Sequence, residues 1–170
     1  TAEGVHLIGY HKQDGQYREE FIPITNVLDV SCGTGYTLIL SISGLYGIGN
    51  NSYGQLGIGI KSDYESLTLI PIDNVKHMSC QYLTSFILLT DGTVYQCGEN
   101  KQKLTTSKDY YITLPTKTLL TDVINVVSSH EHTIFLKDGS YHGVGSDYHH
   151  QIGKHTSKDR DVLRSNLYQV

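Results

Sequence analysis

Three copies of one pattern recur along this chain at a fixed spacing, and that spacing restricts the fold more than any other feature. Val27, Val75 and Val123 each stand near the start of a copy, and they lie 48 residues apart twice in succession. Each copy contains short apolar runs that are separated by glycine. A repeat of this length and composition is typical of β-propellers, in which one repeat forms one blade.

The apolar runs themselves predict β-strands. Residues 37–40 and 45–48 are runs of four residues, and they are bounded by glycine, asparagine or serine. Such short runs favour strands, whereas the frequent glycines and the lack of apolar residues at i, i+3 and i+4 argue against helices. Asp-Gly follows the second run in two copies and is a strong hairpin signal. We therefore expect an all-β chain, specifically a partial β-propeller of about three to four blades.

The repeat pattern also predicts the internal boundaries. We expect one propeller segment over residues 1–170, which begins inside a repeat: 3–25 is partial, and 26–73, 74–121 and 122–170 are repeats 1, 2 and 3. Glycines that recur at matching places are predicted to be structural, namely Gly44, Gly49, Gly54, Gly57, Gly92, Gly98, Gly139, Gly145 and Gly153.

Prolines mark one further strand in each unit. Ile22-Pro23-Ile24 and Ile70-Pro71-Ile72 repeat the same tripeptide 48 residues apart. Proline has no backbone donor, so within a sheet it is confined to edge strands or strand starts. We expect these prolines in the outermost strand of each blade.

Charge and hydropathy exclude several classes of function. The net charge is −4, and the thirteen lysine and arginine residues are scattered, so direct DNA binding by this segment is not expected. No apolar run approaches the roughly 18 residues that span a bilayer, so no membrane partner is predicted. Three cysteines without a Cys-x-x-Cys pair argue against zinc and redox chemistry. Free thiols favour a cytoplasmic or nuclear location. Cys32 and Cys80 occupy the same repeat position, and both are expected to be buried.

No cluster of residues predicts catalysis, a cofactor or a metal site. His130, His132, His142, His149, His150 and His155 crowd the third repeat. A metal site needs two or three such rings to converge on one point, and the neighbours His149 and His150 would face opposite sides of a strand. Asp91 and Asp138 are each followed by glycine and are explained by one hairpin turn per blade. We therefore predict no catalytic residue, no cofactor, no metal and no enzyme activity.

The copies share more than their glycines. Each copy matches part of a longer pattern that is known from a repeat family, Val-x-x-Ile-x-x-Gly-x-x-His-Thr-x-x-Leu, then Asp-Gly-x-x-Tyr-x-x-Gly-x-Asn, then Gly-Gln-Leu-Gly. It is carried in repeat 1 by Cys32-Gly33, Tyr36-Thr37, Leu40, Gly44, Tyr46, Gly49, Asn51 and Gly54-Gln55-Leu56-Gly57; in repeat 2 by Leu88, Asp91-Gly92, Tyr95, Gly98 and Asn100; and in repeat 3 by His132-Thr133, Leu136, Asp138-Gly139, Tyr141 and Gln151-Ile152-Gly153.

This pattern resembles the repeat of the regulator of chromosome condensation (RCC1-like) family over residues 3–153. One departure is Lys101-Gln102-Lys103-Leu104, which replaces Gly-Gln-Leu-Gly in repeat 2; the loss of both glycines argues against the tight turn there. The resemblance implies a ring of about seven four-stranded blades. Three and a half repeats cannot close such a ring, which leaves an unpaired sheet edge at each end. The missing blades are expected from the rest of the polypeptide or from another chain, unless the segment is an open arc. The resemblance also implies two alternative functions, guanine-nucleotide exchange on a Ran-like small GTPase and an accessory propeller in a larger protein such as an E3 ubiquitin ligase.

Our leading hypothesis is a protein–protein interaction scaffold whose loop face docks another protein. Loops on a rigid sheet core suit that role, and exposed tyrosine is a favoured interface anchor. A small GTPase is the partner that the exchange-factor alternative requires. The candidate binding residues are the tyrosines in or next to turns: Tyr53, Tyr64, Tyr82, Tyr110, Tyr111 and Tyr148.

Overall fold

A computed structural model describes residues 3–11, 16–146, 152 and 164–166 of the chain. These residues form fourteen β-strands in four antiparallel sheets. They include no helix, and hence no helix that could cross a membrane. The all-β prediction is confirmed.

The sheets follow one another along the chain, and we name them in that order. The strands are β1 (Val5–His11) and β2 (Gln16–Ile22) in the half-blade; β3 (Val27–Gly33), β4 (Tyr36–Ser41), β5 (Gly44–Gly49) and β6 (Tyr64–Leu69) in blade 1; β7 (Val75–Gln81), β8 (Thr84–Leu89), β9 (Val94–Glu99) and β10 (Tyr111–Lys117) in blade 2; and β11 (Val123–Ser128), β12 (His132–Lys137), β13 (Ser140–Gly145) and β14 (Arg164–Asn166) in blade 3.

Within each blade the four strands pair in chain order. Because neighbouring strands are antiparallel, the connections alternate between two opposite faces of the blades. The loop face carries the turn after the first strand and the long loop after the third, at residues 34–35, 50–63, 82–83, 100–110 and 129–131. The hairpin face carries the other connections, at residues 23–26, 42–43, 70–74, 90–93, 118–122 and 138–139.

The first strands of successive blades are joined by the same hydrogen bond twice. The backbone N–H of Cys80 donates to Ser31 Oγ at 2.9 Å, and that of Ser128 donates to Ser79 Oγ at 2.8 Å. These pairs are related by one repeat. The first strand of each blade therefore lies at the inner side, beside the first strand of its neighbour.

One histidine joins all three inner strands. His77 Nδ1 lies 2.6 Å from Asp29 Oδ2, and its Nε2 lies 3.1 Å from the carbonyl oxygen of Val126. Asp29 belongs to β3, His77 to β7 and Val126 to β11. A single side chain thus fixes the spacing of three blades at the hub.

The apolar core lies between the sheets. Leu40 and Leu88 occupy the same position in blades 1 and 2, and they are 6% and 0% exposed because each packs against the next blade. Phe86 and Phe135 meet edge to face between blades 2 and 3, with ring centroids 5.2 Å apart. Leu136 occupies the corresponding position in blade 3 and is 46% exposed.

The half-blade shows the same contrast at the other end of the chain. Ile48 in β5 is 5% exposed. It packs in a cluster with Ile22, the last residue of β2 in the half-blade, and with Ile24, which lies just after that strand. Ile8 occupies the matching position in β1 and is 75% exposed. Positions that are buried between blades are thus exposed at both ends of the segment.

Two expectations from the sequence are wrong. Cys32 is exposed, whereas Cys80 is buried, because Cys80 faces blade 1 and Cys32 faces the inner side of the half-blade, where the first two strands of a blade are missing. Pro23 and Pro71 lie just beyond β2 and β6 rather than within an outermost strand. Pro115 does lie in an outermost strand, where the register of β10 against β9 is irregular.

We expect Leu88→Ala to destabilise the segment far more than Leu136→Ala. The first removes a side chain packed between two blades and should cost about 3 kcal/mol, whereas the second removes a half-exposed side chain and should cost less than about 1 kcal/mol. Urea unfolding followed by circular dichroism measures both. Equal losses would contradict this account of blade packing.

The structure also predicts weaker stability in alkali. Burial raises the pKa of the Cys80 thiol from 9.0 to about 11, and it raises the pKa of Cys97 and of Tyr36 as well. Above about pH 9 the unfolded chain releases these protons while the folded chain retains them, so the free energy of unfolding falls as pH rises.

Unfolding midpoints at a series of pH values from about 8 to 11 measure this slope. The Cys80→Ala, Cys97→Ala double variant is the control, and its slope should be shallower. A wild-type midpoint that stays constant over this range would refute the prediction.

Candidate protein-binding face

The topology brings the candidate tyrosines to one face. Tyr53 lies in the loop after β5, Tyr82 in the turn after β7, and Tyr110 at the end of the loop after β9. Tyr64 and Tyr111 are the first residues of β6 and β10, so their backbones begin at the same loop face. Tyr148 lies outside the described residues.

Three of these tyrosines form one cluster with a lysine. The Tyr111 ring lies 5.2 Å from the Tyr53 ring and 4.8 Å from the Tyr110 ring, measured between centroids. Lys61 Nζ lies 4.4 Å from the Tyr111 centroid, which is cation–π geometry. The Tyr110 hydroxyl donates to Glu99 Oε1 at 2.9 Å. We call Tyr53, Lys61, Tyr110 and Tyr111 the Tyr–Lys patch.

The patch forms where two blades meet. The loop after β5 extends from blade 1 onto the outermost strand of blade 2, and the N–H of Gly59 donates to the carbonyl oxygen of Thr113 at 2.7 Å. Gly54 packs against the same strand: its φ is +81°, and a Cβ there would lie 2.9 Å from the carbonyl oxygen of Ile112. Only glycine fits this close approach without strain. Gly54 opens the Gly-Gln-Leu-Gly motif, so the motif lets the loop lie against β10, with Tyr53 and Lys61 beside Tyr111.

Buried Asn51 holds that loop in shape. Its Nδ2 donates to the carbonyl oxygen of Ile60 at 2.7 Å, and its Oδ1 accepts from the N–H of Leu56 at 2.9 Å. Its own N–H donates to Asp63 Oδ1 at 2.9 Å. One side chain thus connects the middle of the loop to the segment that carries Lys61.

Blade 2 keeps the turn that the sequence argued against. Lys103 has a φ of +51°, and its N–H donates to the carbonyl oxygen of Asn100 at 3.1 Å, as Gly54 donates to Asn51 in blade 1. The expectation of a lost turn is therefore wrong, and a lysine adopts the left-handed conformation there. Asn100 Oδ1 is buried, and among the described residues no hydrogen bond reaches it.

A second aromatic contact joins blades 2 and 3. Tyr82 meets His130 edge to face, with centroids 4.7 Å apart. The carbonyl oxygen of Tyr82 accepts from the N–H of Thr34 at 3.1 Å. Thr34, Tyr82 and His130 are related by the 48-residue repeat, so the turns after the inner strands form a continuous row on the loop face.

Most of the glycines predicted to be structural adopt a positive φ. Gly49 shows why one of these positions excludes a side chain, because a Cβ there would meet the carbonyl oxygen of Gly35 across the sheet. Gly153 lies outside the described residues. The positive φ values belong to Gly44, Gly49, Gly54, Gly57, Gly92, Gly98, Gly139 and Gly145.

Sequence reasoning missed two kinds of residue. Lys61 and His130 carry no repeat signal, and only the meeting of neighbouring blades brings them to tyrosines. Asn26, Asn74 and Asp122 have φ values of +53°, +58° and +58° on the hairpin face. Their 48-residue spacing was a signal for this conformation, because asparagine and aspartate tolerate it better than most residues.

Within the described part of the chain, no group of three or more His, Cys, Asp or Glu side chains could hold a metal ion. His132 Nδ1 instead lies 2.7 Å from Ser129 Oγ. His149, His150 and His155 fall outside the described residues. What the described loop face offers is therefore an array of aromatic and polar side chains.

Comparison with known proteins shows which proteins this chain is similar to. No family model matches the chain. It is 27% identical to the rat probable E3 ubiquitin-protein ligase HERC4 over 157 residues, which cover 85% of this chain and 14% of the relative. It is 34% identical over 102 residues to the human RCC1-like G exchanging factor-like protein, covering 55% of this chain and 22% of the relative.

A third relative is the mouse X-linked retinitis pigmentosa GTPase regulator, 34% identical over 77 residues that cover 42% of this chain and 8% of that protein. The chain thus spans less than a quarter of the length of each of these curated relatives.

Solved structures agree on the architecture. Human WBSCR16 superposes with a TM-score of 0.71 and 28% identity, over 93% of this chain and 46% of that one. Prp20p of Saccharomyces cerevisiae, whose structure was described with its binding to Gsp1p and histones, gives a TM-score of 0.74 and 19% identity, over 86% of this chain and 40% of that one. The predicted partial β-propeller is confirmed.

We expect Asn51→Ala to cost more stability than Asn100→Ala. The first removes the partners of the buried N–H of Leu56 and of the carbonyl oxygen of Ile60 and should cost about 2 kcal/mol. The second removes an amide whose oxygen has no partner among the described residues and whose Nδ2 makes longer bonds, 3.1 and 3.3 Å, so it should cost about 1 kcal/mol. Thermal unfolding compares the two, and the reverse order would contradict the assigned network.

Proposed function

This chain carries RCC1-like repeats, and on that premise we propose that it is an interaction propeller whose loop face docks a partner protein. The observation that carries the proposal is the Tyr–Lys patch. Tyrosines supply large contact area with few torsions to order, and they are enriched at interface hot spots. Hydrogen bonds join the inner strands of the sheets beneath them, so the sheets give the patch a rigid support.

The other residues of the loop face fit the same role. Tyr82 is 44% exposed and lies beside His130 at the junction of blades 2 and 3. Together with the patch it gives aromatic groups at two successive blade junctions on one face. The hairpin face, by contrast, is formed by short turns.

The experiment compares the two faces with matched double variants. Tyr53→Ser with Tyr110→Ser alters the loop face, and Ile42→Ser with Leu119→Ser alters two exposed apolar residues of the hairpin face. Proteins retained from a cell extract by each immobilised variant are quantified by mass spectrometry, after circular dichroism confirms the fold. We expect the loop-face variant to lose the specifically retained proteins about tenfold while the hairpin-face variant keeps them. Losses confined to the hairpin-face variant, or equal in both, would refute the proposal.

Nucleotide exchange on a small GTPase is the second candidate. It is favoured by the 34% identity to the RCC1-like G exchanging factor-like protein over 102 residues. Release of a fluorescent GDP analogue from a panel of small GTPases, Ran-type proteins included, tests it. Acceleration of tenfold or more would support exchange activity, and release at the intrinsic rate throughout the panel would leave docking without exchange.

The third candidate is an accessory propeller in a larger ubiquitin ligase. It is favoured by the 27% identity to HERC4, which extends over 85% of this chain. Nothing in the described residues supplies ligase chemistry, so this role would place the catalysis elsewhere in the polypeptide. The sequence of the whole polypeptide separates this candidate from the others. For all three, the free thiols of Cys32, Cys80 and Cys97 favour the cytoplasm or nucleus.

A further inference from the structure

The two loops that meet at the Tyr–Lys patch differ in charge from the rest of the chain. Together with Glu99, the last residue of β9, they contain four lysines, at positions 61, 101, 103 and 108, and three carboxylates, at 63, 99 and 109, whereas the whole chain has a net charge of −4. A local excess of amines in an acidic protein is a condition for attracting a negatively charged partner to this one place.

The carboxylates of these loops are also occupied by internal hydrogen bonds. Asp63 Oδ1 accepts from the N–H of Asn51 at 2.9 Å, and Glu99 Oε1 accepts from the Tyr110 hydroxyl at 2.9 Å. Asp109 Oδ2 accepts from Ser107 Oγ at 3.2 Å. These hydrogen bonds orient the carboxylates within their segments, while Asp63 and Asp109 remain exposed.

The four lysines of these loops are exposed at the surface. Lys61 is exposed, and its Nζ lies over the Tyr111 ring, so its charge stays at the surface above the aromatic cluster. Lys103 and Lys108 are exposed in the loop that ends at Tyr110. Tyr110 itself is 51% exposed. The patch thus combines an accessible aromatic surface with cationic groups.

Building on the proposed function, we propose that the Tyr–Lys patch binds an acidic segment of the partner protein, one that presents carboxylates next to an aromatic or aliphatic side chain. The apolar side chain packs on Tyr53 and Tyr110, and the carboxylates face Lys61 and the lysines of the loop 100–110. A single-stranded nucleic acid also combines negative charge with stacking groups. A charge excess of one across both loops is small for a polyphosphate, whose binding is dominated by neutralised phosphates.

Fluorescence anisotropy with three defined probes tests the inference. The first is a labelled peptide of about twelve residues that contains glutamate, aspartate and two phenylalanines; the second has glutamine and asparagine in place of every acid; the third is an oligouridylate of similar length. We expect the acidic peptide to bind at least tenfold more tightly than the amide peptide, and less tightly as salt is raised. Equal binding of the two peptides, or tighter binding of the oligouridylate, would overturn the proposal.

Charge-matched variants locate the site. Lys61→Gln with Lys108→Gln should weaken binding of the acidic peptide about fivefold, since exposed ion pairs each contribute little to affinity. Lys117→Gln with Lys137→Gln removes the same charge from the hairpin face and should leave binding unchanged. Equal weakening by both pairs would show a nonspecific charge effect and would refute the assigned site.

The two proposals fail in different ways. If the Tyr53→Ser, Tyr110→Ser variant loses the retained proteins while Lys61→Gln with Lys108→Gln keeps them, the loop face docks a partner but the acidic segment is wrong. If the tyrosine variant keeps every retained protein, the docking function itself is wrong.

Discussion

Each sheet of this chain buries its apolar faces only against the sheets on either side of it, and the rest of the structure depends on that packing. A four-stranded sheet alone cannot enclose a core. The contacts that join neighbours are therefore repeated contacts: a serine hydroxyl on one inner strand accepts from the backbone of the next, and a leucine on the second strand enters the adjoining blade. Tyr36 adds a contact between blades 1 and 2, since its buried hydroxyl lies 3.0 Å from the carbonyl oxygen of Gln81 and 2.8 Å from that of Thr84.

The same packing creates the loop face. The turns after the inner strands lie in a row because the inner strands are adjacent. The long loop of blade 1 reaches blade 2 because Gly54 permits close approach to β10 and the N–H of Gly59 donates to the carbonyl oxygen of Thr113. The tyrosines of the patch are consequently held by the blade junction rather than by either loop alone. A binding surface of this kind depends on the stability of two blades at once.

Much of the fold could be predicted from the sequence, because residues that form strands and turns recur at equivalent positions of the repeat. The glycines and the apolar runs recur in three copies and the Asp-Gly hairpin in two, so a chance match is excluded. The exposure of Cys32 could not be predicted in this way, since the repeat assigns Cys32 and Cys80 the same place, and only the arrangement of sheets shows that one has a neighbour. Lys103 illustrates a second limit of prediction from the repeat. The repeat pattern has glycine in this turn, yet a lysine adopts the left-handed conformation there and its N–H donates to the carbonyl oxygen of Asn100.

The sequence by itself determined the first three strands of each repeat, the hairpin turns between them and the set of tyrosines near turns, because these depend on local residue preferences repeated at a constant spacing. The tertiary structure alone decided which tyrosines come together, that Lys61 lies over Tyr111, and which equivalent leucine is buried or exposed. Those outcomes depend on which sheet lies next to which, and residues of different blades that meet at a junction share no spacing that a single chain reveals.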